Sequence, residues 1–210
     1  MLKTISFFIR NYAASYPKRF GTLLALIGVL FLTPDTMIMR LSYLDRWPLM
    51  GWRGVLMGLT LLIIWRYFWV SNKKKEWHSL RSIPGLVVIF SFGINSITFT
   101  LGIQETSVMV VLTALATMPI FAAILSTIFM GESQGLLGWI TIIFAMIGVA
   151  VVVGDGPNAT GHPNGSTALG ALYGAITAFG LALTFTMARK YKELGIVPAA
   201  ALGSLLSGCI

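Results

Sequence analysis

The sequence predicts an all-α fold, a multi-pass transmembrane helical bundle, and its composition and charge distribution indicate this class. Of the 210 residues, 56% are hydrophobic and only 10% are charged, and the mean hydropathy is +0.83. These values lie far from those of an ordinary soluble domain. Several stretches of about twenty residues contain almost no charge, and each is long enough to cross a hydrocarbon core of roughly 30 Å.

The predicted elements begin with a cytoplasmic leader over residues 1–20. Its apolar stretch, ISFFI, is interrupted by Arg10 and is too short for a signal peptide. Six complete spans follow, and a partial seventh begins at about residue 198. The complete spans cover residues 21–42, 49–70, 83–103, 107–130, 135–154 and 168–188. A polar outer loop, residues 155–167, precedes the sixth span, whereas the other connectors are short and predict antiparallel neighbours.

The basic residues predict the orientation of these spans. All of the fifteen Lys and Arg residues except Arg40, Arg46 and Arg53 fall on the side of the leader, and the polar loop has none. Because cytoplasmic segments carry the excess of Lys and Arg, we predict a cell inner (plasma) membrane protein with a cytoplasmic N-terminus. Topology therefore accounts for the net charge of +8, and we expect the lipid bilayer, and no nucleic acid, as a partner.

The sequence offers little for catalysis or for a cofactor. Cys209 is the single cysteine, and His78 and His162 are unrelated in position and lie outside the predicted spans. The rival class, an intramembrane enzyme, needs a nucleophile or an acid/base pair at one depth. No two carboxylates share a predicted face, so we expect no catalytic residue, no metal and no cofactor.

Two segments of the chain are weakly similar to each other. Residues 21–40, GTLLALIGVLFLTPDTMIMR, align with residues 170–189, GALYGAITAFGLALTFTMAR. The matching pairs are Gly21 with Gly170, Leu23 with Leu172 and Arg40 with Arg189, and a proline follows each span, Pro48 or Pro198. Because an odd number of spans precedes the polar loop, a second copy is inserted in the opposite orientation, as in the inverted repeats of secondary transporters.

Asp35 follows Pro34 inside the first predicted span, where a carboxylate is costly unless it is paired. Arg53 lies about as far beyond the first outer turn as Asp35 lies before it, so a helical hairpin brings the two to similar depth. In one interpretation Pro34 opens the helix and Asp35 faces a water-filled pathway, where it binds a proton or a substrate ammonium group. In the other, Asp35 reaches interfacial water or Arg40 and has no role in transport.

Two further spans carry polar stripes. Ser91, Asn95 and Thr98 are spaced to share one helix face, and Thr113 and Thr117 form a second polar face in the next span. Such stripes line a substrate pathway, or they form hydrogen bonds between helices, which is the commoner use of these residues in membranes. We predict these five residues, with Asp35 and Arg53, as the substrate pathway.

The segment from Thr106 to Val153 resembles the end of an EamA-like repeat of the drug/metabolite transporter superfamily. The similar features are Thr106 and Ser107 opening the fourth helix, Pro119 before Phe121 at its middle, Gly131 with Glu132 after it, and Gly138 with Gly148 in the fifth helix. Arg53 is similar to an arginine that the family carries early in its second helix. We expect Pro34, Pro119 and Glu132 to be structural, with Pro119 bending its helix and Glu132, like Glu105, a solvated loop charge.

The resemblance implies ten helices in two inverted five-helix repeats, with substrate moving by alternating access through a central cavity. Residues 21–154 would form the first repeat and residues 168–210 the start of an incomplete second one. We therefore expect a C-terminally truncated chain, or one completed by a second copy in a homodimer. The implied function is secondary transport of small organic metabolites, amino-acid-like or related solutes, and not an enzyme activity. The alternative is a non-transporting membrane scaffold or an inactive fragment.

Overall fold

The computed structural model describes residues 17–67, 73–132, 135–154 and 166–209, and it divides the chain into two compact units, residues 1–43 and 44–210. The described residues form helices joined by short turns, with no strand among them, which confirms the predicted all-α class. The helices are α1 (Pro17–Leu41), α2 (Arg46–Tyr67), α3 (Lys73–Ser79), α4 (Ile83–Glu105), α5 (Val108–Leu115), α6 (Met118–Met130), α7 (Leu136–Gly154), α8 (Thr167–Lys190) and α9 (Ile196–Gly208).

Several helices are suited to a membrane by length and composition. In the described part of the chain, four helical segments meet this criterion: α2, α4, the α5–α6 segment Val108–Met130, and α8. The Leu136–Gly148 part of α7 and all of α9 are apolar but shorter. Large apolar side chains on the outer faces, among them Leu56, Ile143 and Phe144, are more than half exposed, as expected for helices surrounded by lipid.

The first unit contains α1, which continues without interruption through Pro34. Asp35 is half-buried within this helix. The helix ends where Ser42 donates from its backbone N to the Ile38 carbonyl, and Tyr43 follows with a positive φ of 49°. Residues 1–16, which include most of the predicted leader, lie outside the described residues.

The second unit is built around α4 and α8. Helix α8 packs against α4, α5 and α6, whereas α9 packs against α2 and α4. Side-chain N-caps define where three of the helices begin, because a serine hydroxyl accepts a backbone N–H that has no partner within the helix. These caps are Ser82 for α4, Ser107 for α5 and Ser166 for α8.

Salt bridges join helices at both ends of this unit. At one, which we name the Glu105 end, Arg46 Nη2 lies 3.1 Å from Glu105 Oε2, and the Ser166 backbone N donates to Glu105 Oε1. At the other, the Glu132 end, Arg189 Nη2 lies 2.8 Å from Glu132 Oε2. The expectation of a solvated loop charge is therefore corrected for Glu105, which is the last residue of α4 and mostly buried. Glu132 does lie exposed in the loop after α6, as expected, and there it pairs with Arg189.

The predicted fourth span is two helices, α5 and α6, with an interruption at Ala116 and Thr117. Pro119 has no N–H to donate and is pre-organised for a helix start, so it lies in the first turn of α6. The Thr117 hydroxyl donates to the Ala114 carbonyl at 2.7 Å. The sequence predicts that Pro119 bends one continuous helix, but the helix is interrupted at Ala116 and Thr117, before the proline.

Helix α3 lies at the Glu132 end and was not among the predicted elements. Trp65 on α2 donates from Nε1 to Glu76 Oε2 at 2.7 Å, and the Trp65 and Trp77 rings stack with centroids 6.1 Å apart. Beside it, Leu80 belongs to a buried apolar cluster that includes Met187 on α8. Side-chain contacts therefore attach the short α3 to the long helices.

Helices α2 and α9 pack closely through small residues. A Cβ atom at Gly54 would lie 2.6 Å from the Ser204 carbonyl oxygen and from the Gly208 nitrogen. One at Gly58 would lie 2.9 Å from the Ala201 carbonyl oxygen. Since higher numbers on α2 meet lower numbers on α9, the two helices run antiparallel, and only glycine on α2 permits this approach.

Candidate functional site

The most polar part of the second unit's interior lies where α4 meets α8. Ser91, Asn95 and Thr98, predicted to share one face of α4, are all buried. On α8, Thr177 faces Thr98 and Gly180 faces Asn95. The same antiparallel register places Ser91 opposite Thr184, which is also buried. We name this set the polar seam: Ser91, Asn95, Thr98, Thr177, Gly180 and Thr184.

A hydrogen bond between two threonines joins the helices in the polar seam. The Oγ1 atoms of Thr98 and Thr177 are 2.7 Å apart, and each also lies 2.9 Å from a carbonyl oxygen of its own helix, that of Ile94 or Tyr173. The two hydroxyls have only two protons for these three contacts. The hydroxyl that donates across the interface therefore cannot also donate to its own backbone carbonyl. The hydrogen bond between the helices competes with one inside a helix, so it exchanges easily for a bond to another polar partner.

Asn95 is the least satisfied side chain of the polar seam. It is only 5% exposed, and neither Oδ1 nor Nδ2 has a hydrogen-bond partner among the described residues. A buried polar group left in this state costs about 1–3 kcal/mol. Gly180 accommodates the amide, because a Cβ at that position would overlap it. The Thr184 hydroxyl, one helix turn away, is also buried without a partner in the described part of the chain.

The two predicted charged residues of the pathway lie in different units. Arg53 on α2 is half-buried, and its guanidinium carbon lies 5.4 Å from the centroid of the Phe99 ring on α4, within the range of a cation–π contact. Asp35 belongs to the first unit. Its pairing with Arg53 stays a prediction.

The second predicted polar stripe is divided by the helix break. Thr113 is buried on α5, which packs against α8, and the contact is close because a Cβ at Gly174 would lie 2.7 Å from that of Ala114. Thr117 is half-buried, and its hydroxyl serves the turn between α5 and α6. The role of both threonines in a substrate pathway stays a prediction.

The α8 half of the polar seam was not among the predicted site residues. Thr177, Gly180 and Thr184 have the three- and four-residue spacing of a helix face, which is the signal that selected the α4 residues. Within the described ranges, no three His, Cys, Asp or Glu side chains gather as metal ligands. The chemistry available in the polar seam is therefore hydrogen bonding by neutral groups.

Comparison with known proteins gives one match. The model of a family described as the EamA-like transporter family matches residues 19–154. This range is more than half of the chain and includes α4, whereas α8 lies beyond it. No curated protein and no solved structure matches the chain.

Proposed function

We propose that this chain, which belongs to the EamA-like transporter family, moves small organic metabolites across the inner membrane by alternating access. Family membership makes it a membrane transporter of the drug/metabolite type and implies that it is not an enzyme. The finer proposal concerns the solute, which we take to be amino-acid-like or related, and the residues that contact it. The polar seam is the proposed contact region.

The unsatisfied Asn95 amide is the observation that carries this proposal. If Asn95 only joined α4 to α8, its donor and acceptor atoms would be bonded across the interface, as those of Thr98 are. A buried amide without a partner is instead suited to a ligand or water that enters in another conformation. Since the polar seam has no charged side chain, and an unpaired buried charge costs several kcal/mol, a neutral polar group of the solute is the fitting partner.

The helix boundaries support inverted repeats. Helices α1 and α2 begin at Pro17 and Arg46, and α8 and α9 begin at Thr167 and Ile196, each within one residue of the position that the alignment of Gly21 with Gly170 gives. Within the second unit, α2 and its counterpart α9 are antiparallel, as a repeat inserted in the opposite orientation requires.

The contacts between α2 and α9 also have the pattern of a two-fold relation. Counted from Pro48 and Pro198, the corresponding positions are Gly51 with Ala201, Gly54 with Ser204, and Gly58 with Gly208. Gly51 contacts Gly208, the counterpart of Gly58, and Gly58 contacts Ala201, the counterpart of Gly51. Gly54 contacts its own counterpart, Ser204. Reciprocal contacts of this kind occur across a two-fold axis.

In the proposed mechanism, rocking of the repeats opens the polar seam to one side of the membrane and then to the other. The Thr98–Thr177 hydrogen bond exchanges for hydrogen bonds to the solute, and the Asn95 amide gains the partner that it lacks here. Asp35 and Arg53 are the proposed charged groups of the pathway, for the ionic parts of the solute or for a coupled proton. Alternating access then requires no nucleotide.

The test replaces the amide by an apolar group of similar size. We expect Asn95→Leu to abolish solute uptake by proteoliposomes that contain the 210-residue chain, with a pool of amino acids and related metabolites outside and mass spectrometry of the trapped solutes. We expect its thermal stability in detergent to be equal or higher, because an unsatisfied buried amide is removed. Ile94→Leu is the matched control, since Ile94 is the adjacent residue of α4 and half exposed.

Three outcomes would contradict the proposal. Uptake by Asn95→Leu at the unsubstituted rate excludes Asn95 from recognition. A large loss of stability shows that the amide joins helices. No uptake by the unsubstituted chain favours the alternative, a non-transporting membrane scaffold or an inactive fragment.

A further inference from the structure

A groove of about 480 Å³ lies between α6, α7 and α8, apart from the polar seam. It is open to the surface of the protein, and one end of it reaches the Glu132 end of the second unit. The lining residues are Pro119, Ala122, Ala123, Ser126, Met130, Gly138, Thr141, Ile142, Phe185, Thr186 and Arg189. Most of this lining is apolar, and Arg189 is the only charged residue among the described residues that line it.

The hydroxyl groups that line the groove already have hydrogen-bond partners within their own helices. Ser126 donates to the Ala123 carbonyl at 3.1 Å, Thr141 to that of Leu137 at 2.9 Å, and Thr186 to that of Ala182 at 2.7 Å. Each hydroxyl has one proton, and each gives it to the backbone of its own helix. The walls therefore present hydrocarbon and satisfied oxygens, which suit an alkyl chain and contrast with the unsatisfied amide of the polar seam.

The mouth of the groove is positively charged. Arg189 contacts both oxygens of Glu132 through Nη2 alone, so that Nε and Nη1 have no partner among the described residues, and its side chain is 61% exposed. The neighbouring Lys190 Nζ donates to the Phe129 carbonyl at 2.8 Å. Lys190 lies at this end of α8 beside the groove lining and not within it, and the free guanidinium N–H groups of Arg189 are well suited to a phosphate.

We propose that this groove binds one anionic phospholipid, with an acyl chain between α6, α7 and α8 and its phosphate on Arg189 and Lys190. The family places the protein in a membrane, so phospholipids surround its helices. Basic sites between membrane helices recognise acidic headgroups. The bound lipid would join α7 to the α6–α8 pair and stabilise their packing.

The test measures lipid binding and not transport, so it does not depend on the proposed function. The detergent-purified 210-residue chain is titrated with phosphatidylglycerol or phosphatidylcholine, and native mass spectrometry counts the retained lipids while thermal unfolding reports stabilisation. We expect phosphatidylglycerol to bind at least fivefold more tightly than phosphatidylcholine. We expect Ala122→Phe, which fills the groove, to remove the retained lipid.

Two substitutions of the same salt bridge separate lipid binding from a structural effect. Arg189→Gln is expected to weaken phosphatidylglycerol binding at least fivefold, whereas Glu132→Gln is expected to strengthen it, because the carboxylate that competes with the phosphate is gone. A purely structural salt bridge would affect both variants in the same direction. Lys192→Gln, an exposed residue of the same end outside the groove lining, is the control and is expected to change binding less than twofold.

Each of the contrary outcomes overturns the proposal. Equal affinity for the two lipids means that the groove holds bulk lipid only. Weaker phosphatidylglycerol binding in Glu132→Gln means that the salt bridge maintains the fold. Unchanged retention in Ala122→Phe places the lipid elsewhere.

Discussion

Gly180 and Asn95 are mutually dependent, because the amide occupies the space that a side chain at position 180 would take. The spacing of Ser91, Asn95 and Thr98 was sufficient to predict their shared face, and the structure shows all three buried. Their partners on α8 could not be predicted in the same way. A helix face can be read from one segment, but the helix that lies opposite depends on packing between segments distant in the chain.

The Thr98–Thr177 hydrogen bond predicts a measurable coupling between the two residues. In a double-mutant cycle with Thr98→Val, Thr177→Val and the double variant, we expect a coupling energy of about 0.6 kcal/mol, the average for hydrogen bonds between membrane helices. The coupling is small because each hydroxyl also has a carbonyl of its own helix within 2.9 Å. Unfolding by sodium dodecyl sulfate in mixed micelles measures it.

The control for this cycle is Thr141→Val. Thr141 is exposed on α7, and its hydroxyl donates to the Leu137 carbonyl within its own helix. Paired with Thr98→Val it should give strictly additive effects, because distant and independent sites do not couple. Additive effects for Thr98 with Thr177 as well would show that their hydrogen bond contributes nothing.

At the scale of elements, long apolar segments were predicted well. The predicted span over residues 83–103 is α4, Ile83–Glu105, and that over 168–188 is α8, Thr167–Lys190. Hydropathy detects such segments because each must satisfy its backbone hydrogen bonds internally. The fourth span is predicted as one helix because mean hydropathy does not detect a local interruption such as that at Ala116 and Thr117. Helix α3 was missed because its seven residues are polar and basic and are held by tertiary contacts.

The close packing of α2 on α9 predicts that two neighbouring glycines of α2 differ in how much substitution by alanine changes the stability of the protein. Gly54→Ala should destabilise the protein by roughly 1–3 kcal/mol, because its Cβ would meet backbone atoms of α9 that cannot move independently. Gly51→Ala, one turn away on the same helix, should be neutral or slightly stabilising. There the Cβ makes an ordinary contact, 3.7 Å from the Gly208 oxygen, and alanine is the better helix former.

Thermal unfolding of both variants in the same detergent checks this difference. A Gly54→Ala variant as stable as Gly51→Ala would contradict the described approach of α2 to α9. It would also weaken the argument for inverted repeats that rests on their reciprocal contacts.

At the scale of the whole molecule, charge and topology are connected. The Glu105 end and the Glu132 end each have a salt bridge that includes a residue of the predicted outer or inner side, Arg46 or Arg189. In the Arg189–Glu132 pair both side chains are exposed, and the pair contributes only about 0–1 kcal/mol, whereas the Glu105 side chain is only 13% exposed. A weak salt bridge at the Glu132 end suits the proposed mechanism, in which the two ends open in turn.

The predicted orientation is tested by labelling single cysteines from one side of the membrane. With Cys209, the exposed native thiol, changed to Ser, Asp45→Cys reports on the Glu105 end and Lys192→Cys on the Glu132 end, since both positions are exposed. The excess of Lys and Arg on the cytoplasmic side predicts that an impermeant maleimide labels Asp45→Cys in intact cells and Lys192→Cys only after permeabilisation. The reverse pattern would invert the orientation, and equal labelling of both positions in intact cells would mean that the chain inserts in two opposite orientations.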